Sequence, residues 1–542
     1  MSEERSAAGR HAFWADRVAD EVEARDPDDP IVVKGAVSPS GVPHVGHFNE
    51  IMRGYYVAEV LRERGHEVRQ VFTSDDRDAL RKLPRRLADA DWNLVELGEV
   101  DAGALGRNLG VPYTDIPDPF GDCHRSYGDH FTDLLRESAE MVGVPLDVVS
   151  VTELYETGAF DDAVRTALAR RERAREVLSA FQDSVGDSYV PFMPNCASCG
   201  KQLTTEVTGV DLDRGVVAYE CVGAEAGDRD IEGCGHRGEA TLREGKLPWR
   251  FEWPAGWQVL GVDFEPFGKD HAEGSWPSGK RIAREVFDAE PPVGMVYEWF
   301  TLDGEALSSS AGNVVTVPEV LEVLEPAVLR YFFALDPGKQ RDLSLSEADR
   351  LVGEFDRFER RYFGEAGDGE ERAFAERAYP FVVEEPREER VRIPYTFAAV
   401  LGMTDDEALR ERMARNEGHI PADAPEWAVE AALDRVEYAR RWAEREDNEY
   451  NYRLARDLPD VEFDADTAEA LDELAEFVAA GHDGDAIQGE IYETAKRHGI
   501  DIGDFFAAGY RLFFDEDSGP QLGPFLGQLD REFVVQRLRR EG

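Results

Sequence analysis

The first part of the chain alternates between two hydrophobic periodicities. Ile31–Val37 is a compact β-branched run that ends in a Ser-Pro-Ser-Gly turn, which predicts a strand. From His47 to Arg64 apolar residues recur at helical spacing until Gly65 ends the pattern, and Glu67 to Phe72 then predicts a second strand. The three segments predict a β-α-β unit. Polar residues follow both strands, at the edge where open α/β sheets bind ligands.

The second half of the chain is dominated by helical periodicity. Apolar residues from Glu319 to Leu335 predict an amphipathic helical stretch. From about Glu347 onward helical patterns prevail, for example from Trp427 to Glu446 and from Thr467 to Ala480. The organisation therefore changes from α/β to α-helical along the chain.

The composition is that of a folded protein with several cores. Apolar residues make up 42% of the 542 residues and include 29 Phe, 17 Tyr and 9 Trp. This content excludes an acidic disordered protein, and the length of the chain indicates about three or four domains. No apolar run approaches membrane-spanning length, and residues 1–10 contain no apolar signal region. We expect a soluble cytoplasmic enzyme that does not bind membranes.

The charge is strongly acidic and the cations are almost all arginine. The formal net charge is −51, and 8 of the 61 basic residues are Lys, which leaves 53 Arg. This balance predicts a cytoplasm of very high salt, as in a halophile. There the Debye length falls to about 3 Å, so self-repulsion is screened and dense carboxylates keep the surface hydrated.

Two histidines mark the start of the first predicted helix. His44 and His47 are three residues apart, so both side chains can project from one turn toward the strand ends. Backbone N–H groups at a helix start suit a triphosphate, and Gly46 lets a nucleotide approach closely. A lone His-x-x-His is more often a helix cap, but its position after a strand and a turn favours phosphate binding.

The cysteine pattern predicts a metal site. Four of the five cysteines form two ligand pairs: Cys196, Cys199, Cys221 and Cys234. Thiolates with this spacing predict a tetrahedral Zn²⁺ site of ribbon type, with His236 as a possible substitute ligand. A closed site with four protein ligands is structural. Cys123, beside His124, is left over and is interpreted as an ordinary thiol.

Two distant segments carry a family resemblance. Pro43-His44-Val45-Gly46-His47 and Leu307-Ser308-Ser309-Ser310-Ala311-Gly312-Asn313 resemble the HIGH and KMSKS signatures of class I aminoacyl-tRNA synthetases, which bind ATP between them. A narrower resemblance, to class I lysyl-tRNA synthetases of the archaeal type, extends from about Phe13 to the C-terminus. It is carried by these segments: Gly35 to Glu50, Asp75 to Asp78, Arg81 to Pro84, Trp253 to Trp257, Phe264 to His271, Tyr297 to Trp299 and Leu522 to Phe525.

The resemblance implies an α/β fold with three parts. A Rossmann-type catalytic domain of class I synthetases would carry a zinc-ribbon-like insertion and be followed by a C-terminal α-helical anticodon-binding domain. Residues 1–190 and 241–340 would form the two parts of the catalytic domain, the second with the KMSKS-like loop. Residues 191–240 would form the zinc-binding insertion, which would hold its shape or contact the tRNA end. Residues 341–542 would form the helical tRNA-binding domain.

The resemblance also implies an activity and its site residues. The enzyme would make lysyl-adenylate from L-lysine and ATP with Mg²⁺, and then transfer the lysyl group to tRNA(Lys). His44 and His47 would be catalytic. The expected ATP-binding residues are Pro43, Gly46, Leu307, Ser308, Ser309, Ser310 and Asn313. The expected lysine-binding residues are Glu50, Trp253, His271 and Tyr297. A carboxylate for the ammonium group and aromatic walls for the methylene stem suit this substrate.

The chain departs from the family pattern at two places. Ala36 and Ser38 stand where relatives are expected to have Gly and Thr, and Ala306 and Ala311 stand at the Lys positions of the KMSKS-like loop. Loop cations of this kind stabilise developing phosphate charge.

Three explanations of the missing loop lysines are open. The serines, backbone N–H groups and Mg²⁺ replace them, another basic residue replaces them, or the protein is a non-acylating, tRNA-binding relative. The first two are favoured because the rest of the pattern is retained. A class I synthetase for another amino acid, such as glutamate or cysteine, is the nearest alternative within the class.

An RNA partner conflicts with the acidic net charge, because phosphate binding normally uses a basic surface. Local clusters of basic residues offset the conflict, although each alone is typical of a solvated helix face. A monomer is expected, with the oligomeric state left open. The clusters are Arg81, Lys82, Arg85 and Arg86; Arg357, Arg360 and Arg361; Arg440 and Arg441; and Arg537, Arg539 and Arg540.

Overall fold

The computed structural model describes residues 11–121, 123–182, 185–226, 229–306, 315–367, 369–387 and 390–541. The chain divides into two compact units. The first comprises residues 1–320, 329–343 and 368–384, and the second comprises residues 321–328, 344–367 and 385–542. In the parts of the chain covered by these ranges, no helix is long and apolar enough to cross a membrane.

A five-stranded parallel sheet forms the centre of the first unit. Its strands are β1 (Ile31–Val37), β2 (Val68–Ser74), β3 (Asp147–Ser150), β4 (Phe264–Gly268) and β5 (Val293–Tyr297). Their spatial order is β5-β4-β1-β2-β3, with every neighbouring pair parallel. The chain therefore adds β2 and β3 on one side of β1, and then β4 and β5 on its other side. In such doubly wound sheets the ligand crevice lies beyond the carboxyl ends of the strands at this switch point.

The predicted β-α-β unit is confirmed. β1 pairs with β2 in register from Ile31 opposite Val68 to Val37 opposite Ser74. The helix between them, Phe48–Glu63, buries most of its residues. Gly35 in β1 is required by packing, because a Cβ there would lie 2.6 Å from the Phe72 ring.

An insertion between β3 and β4 carries small antiparallel sheets. Strands Thr205–Asp211, Val216–Cys221 and Arg237–Thr241 form one three-stranded sheet. The hairpin Gly223–Ala226 and Arg229–Glu232 extends from it. The middle strand alternates between buried and half-exposed residues, as expected for a strand with one covered face. Val217 and Tyr219 are buried and their neighbours are half-exposed.

The predicted helical stretch from Glu319 to Leu335 is two helices, Val317–Val323 and Pro326–Ala334. The stretch breaks because Pro326 has no N–H to continue the first helix, and it occupies the first position of the second, where proline is favoured. The long helices predicted farther on are confirmed as Glu426–Glu446 and Ala465–Ala479.

The remaining elements complete the described structure. The other α-helices are Trp14–Glu23, Ala102–Arg107, Tyr127–Met141, Val151–Glu156, Asp161–Ala169, Arg171–Ser179, Trp249–Leu260, Lys269–Ala272, Ser275–Glu285, Ala348–Tyr362, Gly369–Val382, Tyr395–Leu401, Glu407–Asn416, Gly484–His498, Ile502–Phe514, Leu522–Gln528 and Arg531–Leu538. The 3₁₀ turns are Val45–His47, Leu97–Glu99 and Tyr113–Asp115. The other short strands are Arg86–Ala88, Leu94–Glu96, Met193–Pro194, Gly245–Lys246, Thr301–Leu302, Glu305–Ala306 and Asp342–Leu343.

Candidate active site

The two histidines of the first signature lie together at the carboxyl end of β1. A 3₁₀ turn, Val45–His47, leads directly into the helix Phe48–Glu63. The rings of His44 and His47 stack with centroids 3.9 Å apart and planes at 28°. The turn thus places both imidazoles beside a helix N-terminus, where backbone N–H groups and the helix dipole favour anions.

Hydrogen bonds define the tautomer of both rings. The N–H of Gly46 donates to Nδ1 of His44 at 3.1 Å, and the N–H of His44 donates to Nδ1 of His47 at 3.3 Å. A neutral imidazole that accepts at Nδ1 carries its proton at Nε2. Burial lowers the pKa of His44 to about 4. Burial, together with the charge of His44, also keeps the pKa of His47 well below its usual value. Both side chains are therefore neutral N–H donors at pH 7.

The residues of the second signature lie outside the described part of the chain, and the described chain resumes next to this turn. Leu307, Ser308, Ser309, Ser310 and Asn313 are all in that gap. The chain enters it from the short strand Glu305–Ala306 and leaves it at Val315. The N–H of Val45 donates to the Val315 carbonyl at 2.9 Å. Val315, the first described residue after the gap, is therefore hydrogen-bonded to the histidine turn.

A cavity of about 250 Å³ opens at the ends of β1, β2 and β4. Three of the four residues expected to bind lysine line it: Glu50, Trp253 and His271. The fourth, Tyr297 at the end of β5, does not line the cavity and instead donates its hydroxyl to Oε2 of Glu50 at 3.3 Å. The structure brings the four residues together, with Tyr297 holding the carboxylate.

One wall of the cavity is aromatic. The Trp249 and Trp253 rings stack at 5.2 Å, and the His271 ring lies 5.2 Å from Trp249 and 5.6 Å from Trp253. Trp249 was not predicted from the sequence, although it stands four residues before Trp253 on one helix face. Such a wall can pack against a methylene chain and attract a cation through its ring faces.

The carboxylate of Glu50 is held from two sides. Its Oε1 accepts the N–H of Ala36 at 2.7 Å. Burial, with the charge of Glu265 nearby, raises the pKa of Glu50 to about 8. A cation bound beside Glu50 would favour the ionised form of its carboxyl group. The site therefore favours a positively charged ligand.

Ala36 and Ser38, the two residues at the end of β1 that differ from the family pattern, both make polar contacts in the site. Ala36 and Ser38 both line the cavity. Ala36 supplies the backbone N–H that binds Glu50, a contact that needs no side chain. The Ser38 hydroxyl donates to Oδ2 of Asp78 at 3.0 Å, and a Thr hydroxyl would make the same type of bond. The substitution at position 38 therefore preserves hydrogen-bonding chemistry.

The four cysteines of the insertion converge. All four Sγ atoms lie within 4.8 Å of one another. The Cys196–Cys234 and Cys199–Cys221 sulphur distances are 3.6 and 3.8 Å. Thiolates around a tetrahedral Zn²⁺ at about 2.3 Å stand about 3.8 Å apart, so the geometry fits zinc. The cluster does not include His236 among the described residues.

A second potential metal cluster was missed by the sequence reasoning, which set Cys123 aside. Ligand atoms of four residues also lie within 4.8 Å of one another: Asp118, Cys123, His124 and His130. The Cys123 Sγ is 3.1 Å from Oδ2 of Asp118, and the Nδ1 atoms of the two histidines are 3.1 Å apart. The signal in the sequence was the Cys-His pair between Asp118 and His130.

Hydrogen bonds on the far side of each ring explain why this second cluster suits a cation. Nε2 of His130 is 2.8 Å from the Ala88 carbonyl, which requires a proton at Nε2. Nε2 of His124 is 3.2 Å from Oδ2 of Asp133, which also favours a proton there. Both Nδ1 lone pairs then face each other beside the Asp118 carboxylate. A metal ion between them converts this repulsion into coordination, as in carboxylate- or carbonyl-oriented zinc histidines.

Comparison with known proteins decides the family. The family model described as tRNA synthetases class I (K), where K denotes lysine, matches residues 12–383. The chain belongs to this family. The lysine–tRNA ligase of Haloarcula marismortui is 68% identical over all of both chains. Those of Natronomonas pharaonis and Halobacterium salinarum are 70% and 64% identical, and each match covers 97% or more of both chains.

Membership in the class I (K) tRNA synthetases confirms the expected family and fold class. The matched residues contain the histidine turn, the cavity and both metal clusters. The C-terminal helices lie beyond the matched residues, and the individual site residues remain predictions in this member of the family.

Some arginines expected to offer basic surface have protein partners in this synthetase. Arg537 is 5% exposed and donates to the backbone carbonyls of Asp457 and Ala455. Arg540 pairs with Asp472 at 2.6 Å. The interpretation of the last cluster as a surface basic patch is therefore wrong for Arg537, whose guanidinium caps backbone carbonyls inside its unit.

Proposed function

We propose that this protein is a lysine–tRNA ligase that activates L-lysine with ATP and esterifies tRNA(Lys). The observation that carries the proposal is the cavity with a half-buried carboxylate and an aromatic wall, placed at the sheet switch point beside the histidine turn. A ligand with an ammonium group on an apolar stem matches those walls. The full-length similarity to lysine–tRNA ligases supports the same activity.

The first step is nucleophilic attack by the lysine α-carboxylate on the α-phosphorus of ATP. A P–O bond forms to the carboxylate, the bond to the β-phosphate oxygen breaks, and pyrophosphate leaves. His44 and His47 donate from Nε2 to phosphate oxygens. As neutral donors they need no proton transfer to act, and their work is positioning and charge stabilisation. Mg²⁺ accompanying ATP would neutralise part of the phosphate charge.

In the second step a hydroxyl of the terminal tRNA ribose attacks the lysyl carbonyl carbon. An ester bond forms, the mixed anhydride breaks and AMP leaves with the electron pair. No covalent bond to the protein is needed in either step. The helical residues 341–542 would bind the tRNA in the expected domain scheme, and residues 1–190 and 241–340 would supply the catalytic domain. A ligase for tRNA would act in the cytoplasm, as a monomer in this proposal.

Zinc would stabilise the structure in two places. Cys196, Cys199, Cys221 and Cys234 would hold one Zn²⁺ in the insertion. Asp118, Cys123, His124 and His130 would hold another, and His130 belongs to the helix Tyr127–Met141. Each set supplies four protein ligands, which is the composition of a closed structural site.

The loop without lysines is proposed to be competent. Ser308, Ser309, Ser310 and Asn313 would close over the phosphates, and no ammonium at positions 306 or 311 would be required. The fastening of Val45 to Val315 supports this proposal, because it sets the return of the loop beside His44 and His47.

The test is attachment of lysine to tRNA from a halophilic extract, measured in molar KCl. Wild type is compared with His47→Ala and with His66→Ala, a matched control whose ring pairs with Glu23 away from the cavity. tRNA is included in the assay, because relatives of this type are expected to require it for activation. Lysine-specific charging that only His47→Ala abolishes supports the ligase. tRNA binding without any charging supports a non-acylating relative, and charging with another amino acid supports a different synthetase.

A further inference from the structure

The walls of the lysine cavity carry more negative charge than one ammonium group requires. Four carboxylates line it: Glu50, Asp75, Glu252 and Glu265. The side chain of Lys34, which is 4% exposed, bonds Oε1 of Glu265 at 2.6 Å. The indole N–H of Trp257 donates to the other oxygen of Glu265. Glu265 is therefore neutralised within the protein.

Glu252 is neutralised in the same way. Lys246 is fully buried, and its Nζ lies 2.5 Å from Oε1 of Glu252 and 2.5 Å from Oδ1 of Asp78. The Tyr155 hydroxyl donates to the second oxygen of Glu252 at 2.8 Å. Both buried lysines of the site are thus already shared among carboxylates.

Among the described residues, the hydrogen-bond donors to the Glu50 and Asp75 carboxylates are neutral, and the charges of Lys34 and Lys246 act on Asp75 from a longer distance. Glu50 accepts from the Ala36 N–H and the Tyr297 hydroxyl, as described above. Within the described residues, the Asp75 carboxylate accepts a single long bond, of 3.5 Å, from the Thr73 hydroxyl. Across the described ranges, neither carboxylate has a Lys, Arg or His nitrogen within 4.0 Å. Burial also raises the pKa of Asp75 well above its usual value, with the charges of Asp78 and Glu252 adding to the shift.

The backbone holds Asp75 at the cavity. Its N–H donates to the Val37 carbonyl at 2.8 Å, and its carbonyl accepts the N–H of Asp78 at 3.0 Å. These bonds link the turn after β2 to the end of β1. The carboxylate is therefore presented by a defined turn between two central strands.

We propose that Asp75 is a second lysine-binding carboxylate, and that Glu50 and Asp75 each bind a different one of the two ammonium groups of L-lysine. The inference rests on the proposed function. A free lysine molecule brings two cations, and among the described residues the cavity offers two carboxylates that have no cationic nitrogen within 4.0 Å. An amino acid with one ammonium group leaves one half-buried carboxylate unpaired, which disfavours its binding. Two carboxylates therefore distinguish lysine from amino acids of similar length with an apolar side chain.

The first test is Asp75→Asn, which removes the charge and keeps an oxygen acceptor for Thr73. We expect the KM for lysine in tRNA charging to rise at least about 30-fold, because one partner of a buried ion pair is lost. The KM for ATP should change little. Lysine binding is followed independently by tryptophan fluorescence, since Trp249 and Trp253 line the cavity. Asp75→Glu keeps the charge and should recover part of the loss.

The matched control is Asp76→Asn. Asp76 is the next residue, but its carboxylate accepts from Thr152 N–H at 2.8 Å and from the Ser150 hydroxyl, and it does not line the cavity. This variant should keep the wild-type KM for lysine. Thermal unfolding of all variants in molar KCl identifies any that fail to fold, and Asp75→Ser is then the alternative charge-free variant.

Two analogues assign the ammonium groups. Norleucine lacks the ε-ammonium group and 6-aminohexanoate lacks the α-ammonium group. One analogue lacks the ammonium group that Asp75 binds, so it should inhibit wild type and Asp75→Asn equally. The other analogue keeps that group, so it should bind Asp75→Asn more weakly than wild type. Glu50→Gln should show the opposite pattern. The inference is overturned if Asp75→Asn keeps its lysine KM within about threefold, or if both variants respond to the same analogue. Wild type that charges no lysine overturns the proposed function instead.

Discussion

The pKa of Glu50 predicts how lysine binding depends on pH. In the ligand-free protein this carboxyl has a pKa of about 8, raised chiefly by burial. It must be ionised to pair with an ammonium group, so a proton leaves when lysine binds. The sign follows directly: lysine affinity increases as the pH rises toward 8, and it falls again at the higher pH at which the α-ammonium group of lysine loses its proton. The opposite dependence would be expected for a histidine that had to be protonated.

The size of the effect follows from the same value. Between pH 6.5 and 8.5 the ionised fraction of a group with a pKa of about 8 increases about 25-fold. This corresponds to about 1.9 kcal/mol of binding free energy. The wild-type lysine affinity should therefore change at least this much across the interval. Glu50→Gln has no proton to release at position 50. Its lysine affinity should therefore change about 25-fold less than that of wild type between pH 6.5 and 8.5, and it should be weaker at every pH.

The assay is a tryptophan-fluorescence titration with lysine in molar KCl at several pH values. High salt screens surface charges over about 3 Å, so the buried carboxylates dominate the response. Glu59→Gln is the matched control, because Glu59 lies on the same helix and pairs with Arg62 at the surface. A Glu50→Gln protein that retained the full pH dependence would refute the assignment of the proton to Glu50.

Three further predictions follow from the site. His47→Ala should lower kcat for charging by about 10²–10³, the usual cost of one lost donor to developing charge, whereas His66→Ala should not; steady-state kinetics at saturating lysine and ATP decide this. Metal analysis should find two zinc ions per chain, and Cys199→Ser and His130→Ala should each remove one of them and lower Tm; full zinc content in either variant would contradict that cluster. Ala311→Lys should leave turnover unchanged if the serine loop suffices, and a large gain would refute that idea.

The β-α-β core was predictable because its signals are local. β1 and the helix Phe48–Glu63 each carry their own periodicity, and the turn between them contains the proline and glycine that break it. The strands β3, β4 and β5 were not predicted. They are four or five residues long, and a run that short has too few positions for its hydrophobic pattern to distinguish a strand from a helix segment.

The candidate site was only partly predictable. Glu50, Trp253 and His271 came from the family resemblance, and they line one cavity. Asp75 lay in a quoted segment, but nothing in the sequence distinguishes it from Asp76 beside it, because the distinction depends on which carboxylate receives protein donors. The second metal cluster was missed for a similar reason: Asp118 and His130 become neighbours only after the chain folds back on the helix Tyr127–Met141.

The burial of Lys34 and Lys246 limits which basic residue can stand at these two positions. Most basic residues of the chain are arginine, and it contains 8 lysines in all. Arginine is a poor replacement at these two positions, because a compact ammonium ion fits between carboxylates in a fully enclosed space where a planar guanidinium does not. We therefore expect these two positions to keep lysine whatever the balance of lysine and arginine on the surface. Enzymes of this family from dilute and from saturated cytoplasm should differ on their surfaces and agree in this small set of buried charges.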